Sequence, residues 1–424
     1  MSLQESIDIT SYCADIARRA KVASRQMVSL STDIKNRWLL ESAMRLENKV
    51  SDLLLANDMD MAKSDAFGLT DAEKDRLRLT SDRVSQIAKG LRDVAALPDP
   101  IGEVLEGSIR PNGLEVRKVR VPLGVVFFIY ESRPNVTADA AAIAIKSGNA
   151  IILRGGKEAA SSSAAIIDVL RGVAVDIGVP FDAVQLISML DREVVGQLLK
   201  RSDCIDLVIP RGGESLIRRV VSEATMPVLK HYDGNCHVYV DRYANLDMAI
   251  RIIENAKCQR MGVCNAMESL VVHASVAEQF LPRLEKELSK YAIQFRGDKR
   301  CVDIMPTAIE ATEQDWSQEY LGPVMSVRVV QSLEEAIDHI NQYSSRHTEA
   351  IVTDRVDVAQ KFTRAIDSSA VMVNASTRFN DGSQLGMGAE IGISTDKFHA
   401  RGPCGLKELT TYKYIVQGNG HVRS

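Results

Sequence analysis

The chain has 424 residues, enough for two or more domains, each with its own core. Hydrophobic residues make up 45% and charged residues 25%, as in an ordinary soluble globular protein, and a net charge of −4 gives no reason to expect nucleic acid or an anionic membrane as partner. No run of about 20 apolar residues is present to span a bilayer, and "MSLQESIDITSYCADIARR" at the N-terminus has no apolar core of a secretory signal.

In chain order, the first ~95 residues predict helices, because apolar residues recur at i, i+3, i+4 and i+7. Ser31, Thr32 and Asp33 form an N-cap cluster for the second of them. From about Arg117 the pattern changes to short apolar runs alternating with helical segments. Strands are expected at 124–130, 150–153, 183–187, 205–209 and 227–229, with helices at 137–147, 158–177, 191–200 and 213–224. Runs that are apolar on both sides and separated by helices indicate a parallel sheet covered on both faces. This is an α/β doubly wound unit, which binds nucleotides at the carboxyl ends of its strands.

A second series follows a boundary near 232–235. Its strands are expected at 237–240, 269–273, 292–295, 325–330, 350–353 and 370–373, and its helices at 246–258, 275–291, 332–345 and 355–366. The fold class is therefore α/β, with two Rossmann-like units in tandem. From Asp381 the tail is Gly-rich and irregular, and it ends in the strand-like "LTTYKYIVQG". A site between two such domains is the default expectation.

The chemistry-bearing segments also come in chain order. "ESRPNVTADAA" (131–141) follows a strand and opens a helix. Asn135 there has a side-chain N–H to offer a developing oxyanion, or it is an ordinary turn residue beside Pro134. No Gly-x-Gly-x-x-Gly follows the first strand, and "GMGAEIG" (386–392) imitates that pattern in the irregular tail, outside its strand-to-helix setting. "ILRGGKE" (152–158) and "IPRGGES" (209–215) do each follow a strand and open a helix. Gly155, Gly212 and Gly213 let the backbone approach a phosphate, and Arg154, Lys157 and Arg211 add positive charge. The alternative is two tight turns carrying solvated basic residues. Two consecutive loops of this kind favour an anionic cofactor.

The seven cysteines show no Cys-x-x-Cys spacing, which argues against a disulfide framework and a structural zinc site and suits reduced thiols in a cytoplasm. Cys204, in "DCIDLVI", sits inside an apolar run as a buried filler would. Cys264, in "QRMGVCNAMESLVV" (259–272), instead follows Gly262 among small or polar residues, between a helix and a strand. An exposed loop thiol can serve as a nucleophile. No histidine lies near it in sequence, and the histidines show no metal-ligand spacing; only His347, in "SSRHTEAI", occupies a suggestive polar loop.

"VRVPLGVVFFIYESRPNVT", "GNAIILRGGKEA", "DLVIPRGGESLI", "CNAMESLVV", "VNASTRFNDGSQLGMGAEIGISTDKFHARGP" and "LTTYKY" closely resemble the gamma-glutamyl phosphate reductase branch of the aldehyde dehydrogenase superfamily. The likeness covers nearly the whole chain, in order. It implies helices and a Rossmann-like NADPH-binding domain over 1–233, with about 105–121 contributing to an oligomerisation hairpin. It further implies a catalytic α/β domain over 234–380, and a tail over 381–424 that partly returns to the cofactor domain and the oligomerisation element. The implied reaction is NADPH-dependent reduction of L-glutamyl 5-phosphate to L-glutamate 5-semialdehyde and phosphate through a cysteine thioester, the second step of proline biosynthesis from glutamate.

By this resemblance Cys264 is the nucleophile and Asn135, with the Cys264 N–H, forms the oxyanion hole. Glu319, in "EYLGP", matches the residue that contacts the nicotinamide ribose. Arg133 is implied for the substrate phosphate, and Asn374 and Ser376 for the amino-acid head group. Implied partners are a second copy of the chain (a homodimer or higher oligomer) and a transient contact with glutamate 5-kinase, with no nucleic acid or membrane.

Two departures from the wider superfamily bear on the chemistry. The region matching the Glu-Leu-Gly-Gly segment of oxidising relatives is "LKHYDGNC" (229–236), without the glutamate that activates the deacylating water. Lys157 stands where NAD-using relatives place a glutamate on the adenosine ribose, a swap that suits a 2′-phosphate. An NAD-dependent oxidising dehydrogenase, a non-catalytic scaffold and a cysteine hydrolase remain the competing expectations.

Overall fold

A computed structural model describes residues 8–423. The chain divides into two compact units. The first takes in the chain up to Lys230, together with Met387–Gly392 and the segment from Cys404 onwards; the second comprises His231–Gly386 and Ile393–Pro403.

The first unit opens with helices α1 (Ile9–Met27), α2 (Thr32–Asn48), α3 (Val50–Met61), α4 (Asp71–Leu77) and α5 (Ser81–Ala96). Their starts follow from local chemistry. The Ser31 side chain accepts from Ile34 N at the head of α2, and Thr70 and Glu73 form a reciprocal capping box on α4. Their apolar faces are buried, with Trp38 and Leu39 fully enclosed and Trp38 Nε1 donating to Leu170 O at 3.1 Å.

The hairpin β1 (Val104–Ile109) and β2 (Glu115–Pro122) pairs through β2 with the C-terminal strand Thr410–Gln417, giving a three-stranded antiparallel sheet. Ile109, Tyr412, Tyr414 and Val416 stay exposed on it.

Next come β3 (Val125–Tyr130), α6 (Pro134–Lys146), β4 (Ala150–Arg154), α7 (Ala160–Ile177), β5 (Val184–Leu186), α8 (Glu193–Leu198), β6 (Leu207–Arg211) and α9 (Glu214–Glu223). The strands form a parallel sheet in the order β5-β4-β3-β6. Every residue of β3 and β4 is buried, as expected of strands covered on both faces. Pro134 begins α6, where its missing N–H costs nothing, and Gly178 closes α7 at φ +86°. The strand expected at 227–229 reduces to one parallel bridge, Val208 with Val228; Pro227, lacking an N–H, cannot extend a ladder there.

The second unit contains β7 (Cys236–Val240), α10 (Leu246–Cys258), β8 (Met267–His273), α11 (Ala274–Leu288), β9 (Gln294–Gly297), α12 (Lys299–Ile304) and β10 (Ile309–Glu310). It continues through β11 (Val324–Val330), α13 (Leu333–Tyr343), β12 (Thr348–Val352), α14 (Val356–Ala365) and β13 (Ala370–Val373). These strands form a seven-stranded sheet in the order β10-β9-β11-β8-β7-β12-β13, parallel throughout. Alternate strand residues feed opposite cores. Val238, Leu270 and Val272 pack with Ile253, Phe280 and Leu284, whereas Tyr239, Val271 and Ile351 pack with Ile340 and Phe362. Each such side chain contributes about 1.5–3 kcal/mol by burial. The two cores hold the sheet rigid beneath the loop that precedes β8. No helix among the described residues is long and apolar enough to cross a membrane.

Candidate active site

Cys264 lies in the second unit, in the turn between α10 and β8, where Ala266 N donates to Val263 O at 3.0 Å. Three fixings define its position. Cys236 Sγ donates to the Cys264 carbonyl at 3.2 Å. Thr377 Oγ1 donates to the Asn265 carbonyl at 2.7 Å, and Asn265 Nδ2 donates to Asn380 O at 3.0 Å. The backbone of Gly234 lies directly against that of Cys264. With its carbonyl held, the Cys264 N–H takes no acceptor among the described residues, so it is available to an incoming oxyanion.

The two neighbouring thiols differ. Cys264 is half-buried, while Cys236 is fully buried, and burial pushes the Cys236 thiol well above its usual value. Cys236 therefore remains a protonated donor to the loop carbonyl.

His231, which the sequence does not single out, and His347, noted there only for its polar loop, stand beside Cys264. The Cys264 Sγ and one ring nitrogen each of His231 and His347 lie within 4.8 Å of one another. The imidazoles meet edge to face with centroids 5.4 Å apart. His231 Nδ1 is 2.9 Å from Ile393 O, and His347 Nδ1 is 2.8 Å from Thr348 Oγ1. A ring nitrogen within that distance can take the thiol proton through one water.

A cationic pair also flanks the loop. Arg378 Nε donates to Gln259 Oε1 at 2.8 Å. Burial and then the nearby Arg260 charge depress the Arg378 guanidinium, while Asp381 and Cys264 act in the opposite sense. Like charges held together next to Cys264 suit an anionic ligand.

Beneath the loop, Lys257 and Glu268 form a fully buried ion pair. Burial raises the Glu268 carboxyl and lowers the Lys257 ammonium, each opposed by the partner's charge. Glu268 Oε1 also accepts from Leu321 N at 3.2 Å, where Leu321 adopts a left-handed φ of +54°. That bend carries Glu319, whose Oε1 accepts from Gly234 N at 2.9 Å. Glu319 thus supports the glycine that packs on Cys264.

Asn374 and Ser376, implied for the amino-acid head group, both make local hydrogen bonds in this structure. Asn374, at φ +54° after β13, accepts from Thr353 N and donates to Thr353 O, both at 2.9 Å. These two bonds clamp it to the backbone and leave one amide hydrogen for another acceptor. Ser376 is buried and its side chain caps its own turn by accepting from Arg378 N. What the 374–380 segment brings to Cys264 is Thr377, Arg378 and Asn380. Neighbours of a motif were legible here, but not which of its side chains pointed inward.

In the first unit, the carboxyl ends of β3 and β4 and the first turns of α9 surround a cavity of about 610 Å³. Gly155, Lys157 and Arg133 line it, together with Arg76, Arg192 and Arg219, which sequence reading did not single out. Arg154 borders it too, but is buried, donating to Gly155 O at 2.7 Å and Leu190 O at 2.9 Å. These two bonds brace the turn. Lys157 is exposed, with Nζ 4.8 Å from the Phe67 ring centre.

From the second glycine-rich turn, the cavity wall takes Ser215, Leu216 and Arg219, while Arg211, Gly212 and Gly213 fall outside the lining. Gly213 N donates to Glu131 Oε1 at 3.0 Å. Asn135, exposed in the first turn of α6, donates through Nδ2 to Asp139 Oδ2 at 3.0 Å. One amide hydrogen remains for another acceptor.

The profile of the Aldehyde dehydrogenase family matches residues 10–308 and 304–414. A gamma-glutamyl phosphate reductase of Rhodopirellula baltica is 61% identical over 99% of this chain and 96% of its own. One of Caldanaerobacter subterraneus is 50% identical over 96% of this chain and 98% of its own. The crystal structure of gamma-glutamyl phosphate reductase from Thermotoga maritima, 43% identical, superposes with a TM-score of 0.95 over 97% of this chain and 100% of that one.

Proposed function

The chain belongs to the aldehyde dehydrogenase family, and from that premise we propose that it reduces L-glutamyl 5-phosphate to L-glutamate 5-semialdehyde and phosphate, with NADPH, in proline biosynthesis. The observation that carries the reading is the Cys264 loop. It combines a half-buried thiol beside two imidazoles, a backbone N–H without an acceptor among the described residues, and a preceding segment (229–236) without a glutamate.

An imidazole of His231 or His347 takes the Cys264 proton. The thiolate adds to the acyl carbon of the substrate, and the Cys264 N–H and Asn135 stabilise the oxyanion, at about 3 kcal/mol per donor. The C–O bond to phosphate breaks, phosphate leaves as a stable anion near Arg260 and Arg378, and a thioester remains on Cys264. Arg133 stays proposed as a further phosphate ligand. NADPH, when bound, supplies the hydride that reduces the thioester carbonyl. Collapse breaks the C–S bond, releases the semialdehyde and restores the Cys264 thiolate. Water at the thioester finds no glutamate in 229–236 to activate it.

The donor set of the first unit suits a phosphorylated dinucleotide. Arg76, Lys157, Arg192 and Arg219 surround one cavity, and the family uses nicotinamide cofactors. Lys157 is assigned to the 2′-phosphate and Glu319 to the nicotinamide ribose. Lys157→Glu is expected to weaken NADPH relative to NADH by about 10- to 100-fold, since an attraction becomes a repulsion. The ratio of the two kcat/KM values measures it, and an unchanged ratio rejects the assignment. Asn135→Ala is expected to lower kcat about 100-fold with little change in KM. An unaltered kcat would leave Asn135 as a helix residue bonded to Asp139.

The reaction itself is tested by phosphate-dependent reduction of NADP+ with glutamate semialdehyde. Equal turnover without phosphate points to the oxidising class of the family, and no turnover points to a scaffold.

A further inference from the structure

The cluster of His231, Cys264 and His347 is also a set of metal ligands. We propose that it binds a zinc-class divalent cation, which holds the enzyme in a reversibly inhibited state. One thiolate and two imidazoles are a borderline-soft donor set that favours Zn2+ over hard cations such as Mg2+. The three donor atoms already lie within 4.8 Å of one another. In a tetrahedral site with Zn–S of about 2.3 Å and Zn–N of about 2.0 Å, neighbouring donors stand roughly 3.3–3.7 Å apart. Closing the difference takes side-chain rotations of an ångström or so, with a water in the fourth position.

The surroundings support the same reading. His231 Nδ1 lies 2.9 Å from the Ile393 carbonyl, which fixes the proton on Nδ1 and the lone pair on Nε2. His347 is oriented at Nδ1 by Thr348 Oγ1, at 2.8 Å. A carbonyl or hydroxyl behind a histidine is the arrangement that orients imidazoles toward a metal. On binding, the Cys264 S–H bond breaks, an S–Zn bond forms and a proton passes to solvent, with no change of oxidation state. The sulfur is then unavailable to the acyl phosphate, and a chelator reverses the state. This inference rests on Cys264 being the nucleophile only for its inhibitory consequence, not for the binding.

The test uses the full chain without substrates, titrated with Zn2+ by calorimetry and with Co2+ by absorbance. One equivalent is expected to bind, with a thiolate-to-cobalt charge-transfer band, and Zn2+ is expected to inhibit until EDTA is added. Cys264→Ser should remove the band. His231→Gln and His347→Ala should each weaken Zn2+ about tenfold or more, with circular dichroism confirming the fold; His231→Gln serves if the buried His347 variant does not fold. Cys258→Ser, at the other half-buried thiol, should change neither binding nor inhibition. Zn2+ affinity that is unchanged in both Cys264→Ser and His231→Gln overturns the site. If instead the site binds as described but Cys264→Ala keeps full turnover, the metal site stands and the catalytic assignment falls.

Discussion

Cys264→Ala is expected to lower kcat by about four orders of magnitude or more, while NADPH still binds the cavity of the first unit. The size follows from the chemistry, because the thiol is the only group assigned to carry the acyl chain between phosphate departure and hydride arrival. Its neighbour cannot replace it. Cys236 Sγ is buried, donates to the Cys264 carbonyl and is held protonated by burial. Cys264→Ser should also be nearly inactive, since a serine hydroxyl beside the same imidazoles is a far weaker nucleophile at neutral pH. Steady-state rates in the phosphate-dependent NADP+ assay, together with cofactor titration by fluorescence quenching, separate loss of chemistry from loss of folding. Retention of even a tenth of wild-type kcat in Cys264→Ala would end the thioester reading.

The sequence carried the parallel sheets because burial on both faces leaves a visible mark. Runs such as 124–130 and 150–153 have no polar side, and their shortness and β-branched or aromatic residues mark them as interior strands. The bracketing helices were legible from their period. The short α12 and two-residue β10 were not, since so few residues show no period and are positioned by their neighbours. The site divided along similar lines. Cys264 stood out locally, by the small and polar residues around it. His347 drew notice only for its polar loop and His231 not at all, because nothing in the linear order announces that the segment before β7 and the start of β12 meet at the turn before β8. For Arg154 and Asn374 the sequence shows the residue type but not the local bonds it makes. Their residue types suggest ligand contacts, and in this structure each also bonds backbone carbonyls close by.

Gly234→Ala is expected to be the most damaging change outside the nucleophile. Gly234 shows no left-handed backbone; its requirement is one of space. A Cβ there would stand 2.0 Å from Cys264 O, 2.5 Å from Cys264 Cα and 2.6 Å from Cys264 C. All three are backbone atoms, so no side-chain rotation relieves the overlap. The loop must move, and it is tied to Cys236, Thr377 and Asn380. Overpacking of this kind costs about 1–3 kcal/mol. A shift of the nucleophile by roughly 1 Å costs about 100-fold in rate. Gly234→Ala should therefore lower Tm modestly and kcat heavily, with KM for NADPH little changed. The instructive comparison is Gly262→Ala. Gly262 precedes the cysteine in the same loop and is the glycine that sequence reading picks out, yet its added Cβ would meet only Leu321 O, at an ordinary 3.8 Å. Near-wild-type kcat in Gly262→Ala beside a collapse in Gly234→Ala would place the constraint on backbone packing behind the thiol. Equal losses in both would place it in loop flexibility instead.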